Sequence, residues 1–184
     1  MPTNGTTKRK PSRAPELALT VQYGTRPAQL PSRAKLRLWA RAALERNAII
    51  TLRIVGTREA RKLNRRFRGI DRATNVLTFN YSERTPLAGD IAICAPLVTR
   101  EARAFGIDRE AHYAHLTVHG VLHLQGYDHR RARAAECMER LETRILARLG
   151  YADPYGGEGP GERGEEKKCL SPASRLSSLV SRST

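Results

Sequence analysis

The eleven residues from His119 to His129 read His-Gly-Val-Leu-His-Leu-Gln-Gly-Tyr-Asp-His. Two histidines four residues apart lie about 40° apart around a helix and one turn apart along it, so both rings can reach one ion. The pattern requires a helix through His123 and a reversal at Gly126, a residue that accepts positive φ and ends helices. Tyr127 and Asp128 then carry His129 to the other side of the ion. His115, His119 and His123 also share a helical face, but the outer two stand about 12 Å apart along the axis. A zinc–nitrogen bond is only about 2 Å long, so a straight helix cannot bring all three to one ion. His119, His123 and His129 are therefore the expected ligands, on a late helix and the turn that follows it. Three neutral ligands leave a position for water or substrate, the arrangement of a catalytic metal. Nitrogen-rich ligation favours one Zn2+, with Ni2+ or another divalent ion as the alternative. His115 is read either as a group that orients a ligand or as a core histidine, and Asp128 as a possible partner to a ligating ring.

The residues around this motif predict a single α+β domain over residues 16–155. Leu17 to Tyr23 alternates as a strand does. Pro31-Ser32 opens a helix with Leu36, Leu38, Trp39, Ala42 and Leu44 on its apolar stripe. Ala48 to Val55 reads as a second strand. Thr57 is the expected N-cap of a helix over 58–67, which Gly69 ends. Asn75 to Phe79 and Asp90 to Cys94 read as strands joined by a loop over 85–89. Helices are expected from Pro96 to Phe105, from Arg109 to Leu124 behind an Asp108 cap, and from Arg131 to Leu149. The last places Met138, Leu141, Ile145 and Leu149 on one face. The sum is a small mixed four-stranded sheet packed with about five helices.

The flanks differ in composition. Residues 1–15 form an expected disordered basic arm with Lys8, Arg9, Lys10 and Arg13. Residues 156–184, rich in Gly, Pro, Ser and charge, form an expected disordered tail. The chain carries 33 Lys and Arg against 18 Asp and Glu, a formal net charge of +15. Such an excess attracts polyanions, with nucleic acid the leading candidate. Cys94, Cys137 and Cys169 are odd in number and contain no C-x-x-C, which argues for reduced thiols in a cytosol. No apolar run approaches the roughly 20 residues of a membrane span, and no signal peptide is visible, so a cytoplasmic location is expected.

The most basic stretch of the domain runs from Thr57 to Arg72. Most of its seven cations read as a solvated helix face. Arg68 differs, because it sits at the helix end between Phe67 and Gly69, where a guanidinium fork can be aimed at a phosphate.

Leu63-Asn64, Phe67-Arg68-Gly69, Asp71 with Thr74 to Phe79, Gly89-Asp90-Ile91, Glu110 to His115, the 119–129 motif and Leu149 to Tyr155 together resemble the YbeY endoribonuclease family. The likeness covers residues 16–155 and leaves out both tails. It implies a single-strand-specific, metal-dependent endoribonuclease that matures 16S rRNA 3′ ends and serves ribosome quality control. The implied partners are single-stranded RNA and the 30S subunit, with neither DNA nor membrane. The resemblance implies His119, His123 and His129 as metal ligands and Arg68 as the arginine of the metal cleft, all four counted as catalytic. Two other readings follow from the residues. The ligand spacing is shared with metzincin proteases, which carry a general-base Glu after the first histidine. Gly120 stands there instead, so a zinc peptidase lacks its proton acceptor. A non-catalytic ribosome assembly factor with a structural metal is the other.

Overall fold

A computed structural model describes residues 14–25, 29–82, 84–128 and 132–156. The expected arm and tail, and with them Cys169 and the brief Leu176–Val180 cluster, lie almost wholly outside the described residues. So does His129.

Nine elements follow one another: β1 (Leu17–Tyr23), α1 (Arg33–Ala42), β2 (Ala48–Val55), α2 (Thr57–Arg68), β3 (Val76–Ser82), β4 (Leu87–Cys94), α3 (Ala95–Phe105), α4 (Arg109–Leu124) and α5 (Ala132–Arg148). The sheet order is β1-β2-β4-β3. β1 and β4 each run parallel to β2, and β3 closes the edge antiparallel to β4. This is the mixed four-stranded, five-helix α+β plan read from the sequence.

Side-chain alternation splits the sheet into two faces. Ile50, Leu52, Ile54, Ile91 and Ile93 point into the main core with Leu36 and Trp39 of α1 and Val118, Val121 and Leu122 of α4. Val55, Leu77, Ala92 and Cys94 point the other way, into a smaller cluster with Ala60 of α2 and Leu97 of α3. Each large apolar side chain buried in this way is worth about 1.5–3 kcal/mol. Far more of them lie under α1 and α4 than under α2, so the first face carries most of the stabilisation.

Several local expectations shift. Leu38 is 57% exposed, because α1 turns Leu36, Trp39 and Ala40 inward instead. Thr57 is the first residue of α2 and not its cap; Gly56 occupies the cap position, with no side-chain hydrogen bond there. The hairpin strands run longer than read, to Ser82 and back from Leu87, so that 87–89 of the expected loop over 85–89 belong to β4. Pairing with a neighbour already formed extends a strand past the end of its apolar pattern. The uniform reading of reduced thiols also fails: Cys94 is free and buried, whereas Cys137 is disulfide-bonded. Sequence separation had said nothing about which thiols meet in space.

Candidate metal centre

α4 opens where Asp108 accepts the Ala111 amide at 2.9 Å and satisfies one of the helix's first amides. The helix is then buried on almost every side. His112, Leu116, Gly120 and Leu124 face inward, while His115, His119 and His123 form a half-buried strip at steps of four. Gly120 sets how close the helix lies to the sheet. A Cβ there would stand 2.9 Å from Cγ2 of Ile91 on β4. Gly89 does the same from the strand side, where a Cβ would meet Leu124 at 2.5 Å and the Phe79 carbonyl at 2.6 Å. The position after His119 thus points into the core, and a carboxylate there would be buried against Ile91.

The ring centroids of His115 and His119 are 6.1 Å apart, and those of His119 and His123 are 4.5 Å apart. The turn after α4 is bolted to the end of α1. Gly126 takes φ 90°, and the Tyr127 amide reaches back to the Leu122 carbonyl at 3.1 Å. Gln125 donates to the Ala43 carbonyl at 2.7 Å and accepts the Glu45 amide at 2.7 Å. The buried Tyr127 hydroxyl donates to Glu45 at 2.6 Å.

A fully buried carboxylate on α5 completes the cluster. Glu142 meets Nδ1 of His119 at 2.8 Å and Nε2 of His115 at 3.1 Å. It also accepts the Tyr155 hydroxyl. Burial opposes its charge, but hydrogen bonds from His115, His119 and Tyr155, together with the positive charge of His119 when that ring is protonated in the metal-free protein, outweigh burial and hold its pKa at about 2. Burial and the adjacent carboxylate push the Tyr155 hydroxyl far above its ordinary value, so it remains a donor.

These contacts fix the tautomers. An ionised carboxylate only accepts, so His119 donates from Nδ1 to Glu142 and a neutral ring holds its lone pair on Nε2. The Tyr127 carbonyl also only accepts, and it lies 2.9 Å from Nδ1 of His123. His123 is therefore set the same way, with Nε2 as its ligand atom. In the neutral form each of these neighbouring imidazoles has its lone pair on Nε2, the nitrogen left for a cation.

His115, His119 and Glu142 bring three potential ligand atoms within 4.8 Å of one another, close enough for a group that could hold an ion. Glu142 was not anticipated from the sequence. The available signal was its position on the apolar stripe of α5, four residues after buried Met138 and three before buried Ile145. A carboxylate where the helical period calls for an apolar residue needs a partner.

Arg68 is the last residue of α2, exposed, and forms no hydrogen bond or ion pair with other described residues. The fold approaches the histidines through its neighbours. The Phe67 ring packs edge-on against Phe79 of β3, with centroids 4.9 Å apart. The next residue of that strand, Asn80, donates to the Leu124 carbonyl of α4 at 3.4 Å. β3 thus touches both the end of α2 and the end of α4. Its start is pinned by Asn75, which donates to Glu101 at 3.0 Å; His112 of α4 meets the same carboxylate oxygen at 2.9 Å.

The family described as Endoribonuclease YbeY matches residues 29–150 of this chain. An Endoribonuclease YbeY from Nitrosomonas europaea is 52% identical over 155 residues, covering 84% of this chain and 94% of the relative. One from Nitrosomonas eutropha is 56% identical over 137 residues, covering 74% and 97%. One from Methylobacillus flagellatus is 53% identical over 144 residues, covering 78% and 97%.

Proposed function

The chain belongs to the endoribonuclease YbeY family, and on that premise we propose that it cleaves single-stranded RNA at a divalent ion held by His119, His123 and His129. The observation that carries this reading is the pair of imidazoles one turn apart on α4, ring centroids 4.5 Å apart, each with Nδ1 against an acceptor so that Nε2 is the nitrogen left for an ion. Glu142 is assigned an orienting role and not a ligand's. Its oxygens sit 2.8 and 3.1 Å from ring nitrogens, distances at which a proton bridges each pair. A zinc ligand that in turn donates to a carboxylate is a recurrent arrangement, because it fixes the ring and raises its basicity. His129 is assigned as the third ligand from its offset in the sequence, three residues past the helix-ending Gly126.

When bound, the ion supplies Lewis-acid polarisation of the scissile phosphate. Glu142 and Tyr127 hold the two rings in register. Arg68, on a helix end beside β3, is assigned the role of binding the phosphoryl oxygens and stabilising the charge that grows on them. Zinc suits the nitrogen donors, with nickel the nearest alternative. The substrate of this reading is the 3′ end of 16S rRNA in the 30S subunit, in the cytoplasm. The peptidase alternative loses ground, because position 120 faces Ile91 and offers no carboxylate to the cleft.

The test is metal analysis and cleavage of a 16S rRNA 3′ fragment by the full chain and by His119→Ala. The parent should retain about one ion per chain and cut the RNA, and the variant should lose both. A parent that holds metal, binds the small subunit and never cuts RNA would hand the site to the assembly-factor reading.

A further inference from the structure

α2 carries an arrangement that the metal centre does not use. Arg58, Arg61, Lys62, Arg65, Arg66 and Asp71 line an open groove of about 460 Å³ on its outer side. Within the helix the only acid is Glu59, and it is taken by Arg53 of β2 at 2.8 Å. Asp71, just beyond the helix, is engaged by Arg61 through two contacts of 2.8 and 2.7 Å. Arg58, Lys62 and Arg66 are exposed and pair with no acid among the described residues. They follow one another at steps of four, so one cation succeeds the next roughly every 6 Å along the helix.

An ordinary solvated helix interleaves signs, as α5 does with Glu136 and Arg140 at 3.9 Å. Like charges at steps of four destabilise a helix. α2 accepts that repulsion while burying fully only Ala60 and Asn64. It is held instead by its end. Gly69 at φ 72° returns its amide to the Arg65 carbonyl, Ile70 to that of Asn64, and the Asn64 amide group reaches the Arg72 carbonyl at 2.8 Å. The backbone that carries the row of cations is therefore held in place, while the side chains extend into solvent. At its end Phe67 and Ile70 stay 55% and 46% exposed, and an exposed aromatic ring beside a basic track is what stacks unpaired bases.

We infer that the outer face of α2 is a second RNA-binding surface, across the sheet from α4, on which the flank of a single-stranded substrate lies with successive phosphates on Arg58, Lys62 and Arg66. The inference rests on RNA being the substrate. Its test needs no cleavage.

Binding of a labelled oligouridylate to the full chain is measured with chelator present, across about 50 to 200 mM salt. Losing three phosphate contacts to a single strand should reduce the slope of log K against log salt by about 2 in the triple variant R58Q/K62Q/R66Q. The variant should melt no lower than the parent, since repulsion has been removed. The charge-keeping pair Arg58→Lys and Arg66→Lys should hold the parental slope. If the triple variant melts below the parent, Lys62→Gln and Arg66→Gln replace it singly, each lowering the slope by about 0.7. Unchanged slopes overturn the inference and leave the row to an acidic protein surface. A parent that cuts RNA while these slopes stay fixed sinks the α2 surface alone. Slopes that fall while no metal-loaded sample cuts RNA sink the nuclease reading alone.

Discussion

α4 and α2 are both helices laid on the same small sheet, one on each side, and they are built by opposite rules. α4 buries ten of its sixteen residues and exposes a narrow strip of imidazoles. α2 buries fully two of its twelve and exposes guanidinium groups. The first places few groups with high definition: a glycine contact on Ile91, a carboxylate behind two rings, a turn locked to α1. The second fixes only a backbone and lets long side chains reach for whatever they bind. Chemistry at one atom needs the first kind of surface. Holding a flexible polyanion needs only the second.

The sharpest way to break the contrast is to remove a ligand from the buried side. His119→Ala should cost more in metal retention and RNA cleavage than the roughly 10–100-fold loss typical of an orienting partner, with little change in RNA affinity. A variant that still holds its ion would remove His119 from the ligand set. Arg68→Ala should come next, with a fall in turnover on the order of 100-fold, the scale of losing one donor to a developing anion. Metal content should remain at the parental level; equal losses of both would place Arg68 in folding and not in charge stabilisation.

Glu142→Gln should weaken metal binding by about 10–100-fold, read by competition with a chromophoric chelator, and should change the spectrum of a cobalt-substituted sample. The same residue sets an acid limit. Its folded pKa of about 2 lies below the ordinary Glu value of about 4.3, so its contribution to stability is complete above that value. It is lost as pH falls from there through the folded pKa. Acid unfolding of the metal-free protein should therefore be less steep in Glu142→Gln between about pH 5 and 2.

Smaller effects sharpen the comparison further. Gly120→Ala drives a methyl toward Ile91 and should cost about 1–3 kcal/mol by overpacking, measured by denaturant titration. A neutral result would mean α4 is not seated as tightly as its 2.9 Å approach indicates. Asp71→Asn should be smallest. It removes an exposed partner of Arg61, should leave the melting temperature unchanged, and should slightly strengthen RNA binding by deleting a negative charge. A clear drop in melting temperature would show that α2 depends on this pair.

Much of the buried side was legible in the chain. The bounds of α4 follow from Asp108, which caps its start, and from Gly126, which turns the chain after its end. Steps of four placed His119 beside His123 without any knowledge of the sheet. The bounds of β1 and β2 were equally plain, because alternation is a local property. The strands flanking residues 83–86 were less so, since their length is set by the neighbour they pair with. Glu142 was hidden for a related reason. It stands far from the histidines in sequence, and nothing local says that α5 returns to cover α4. Arg68 was marked by its place at a helix end, but the contacts that set that end against β3 and β3 against α4, Phe67 on Phe79 and Asn80 on Leu124, are tertiary.

The sequence by itself determined the helix-and-turn that carries the imidazoles, the α+β class and the concentration of positive charge on α2. All three are written in the spacing of nearby residues, and backbone geometry converts spacing into direction. Only the tertiary structure decided which nitrogen of each ring is presented, because that choice belongs to Glu142 and the Tyr127 carbonyl. It alone also set the two helices on opposite sides of one sheet. Proton placement and facing depend on contacts between segments that are distant in the chain, and no local pattern records them.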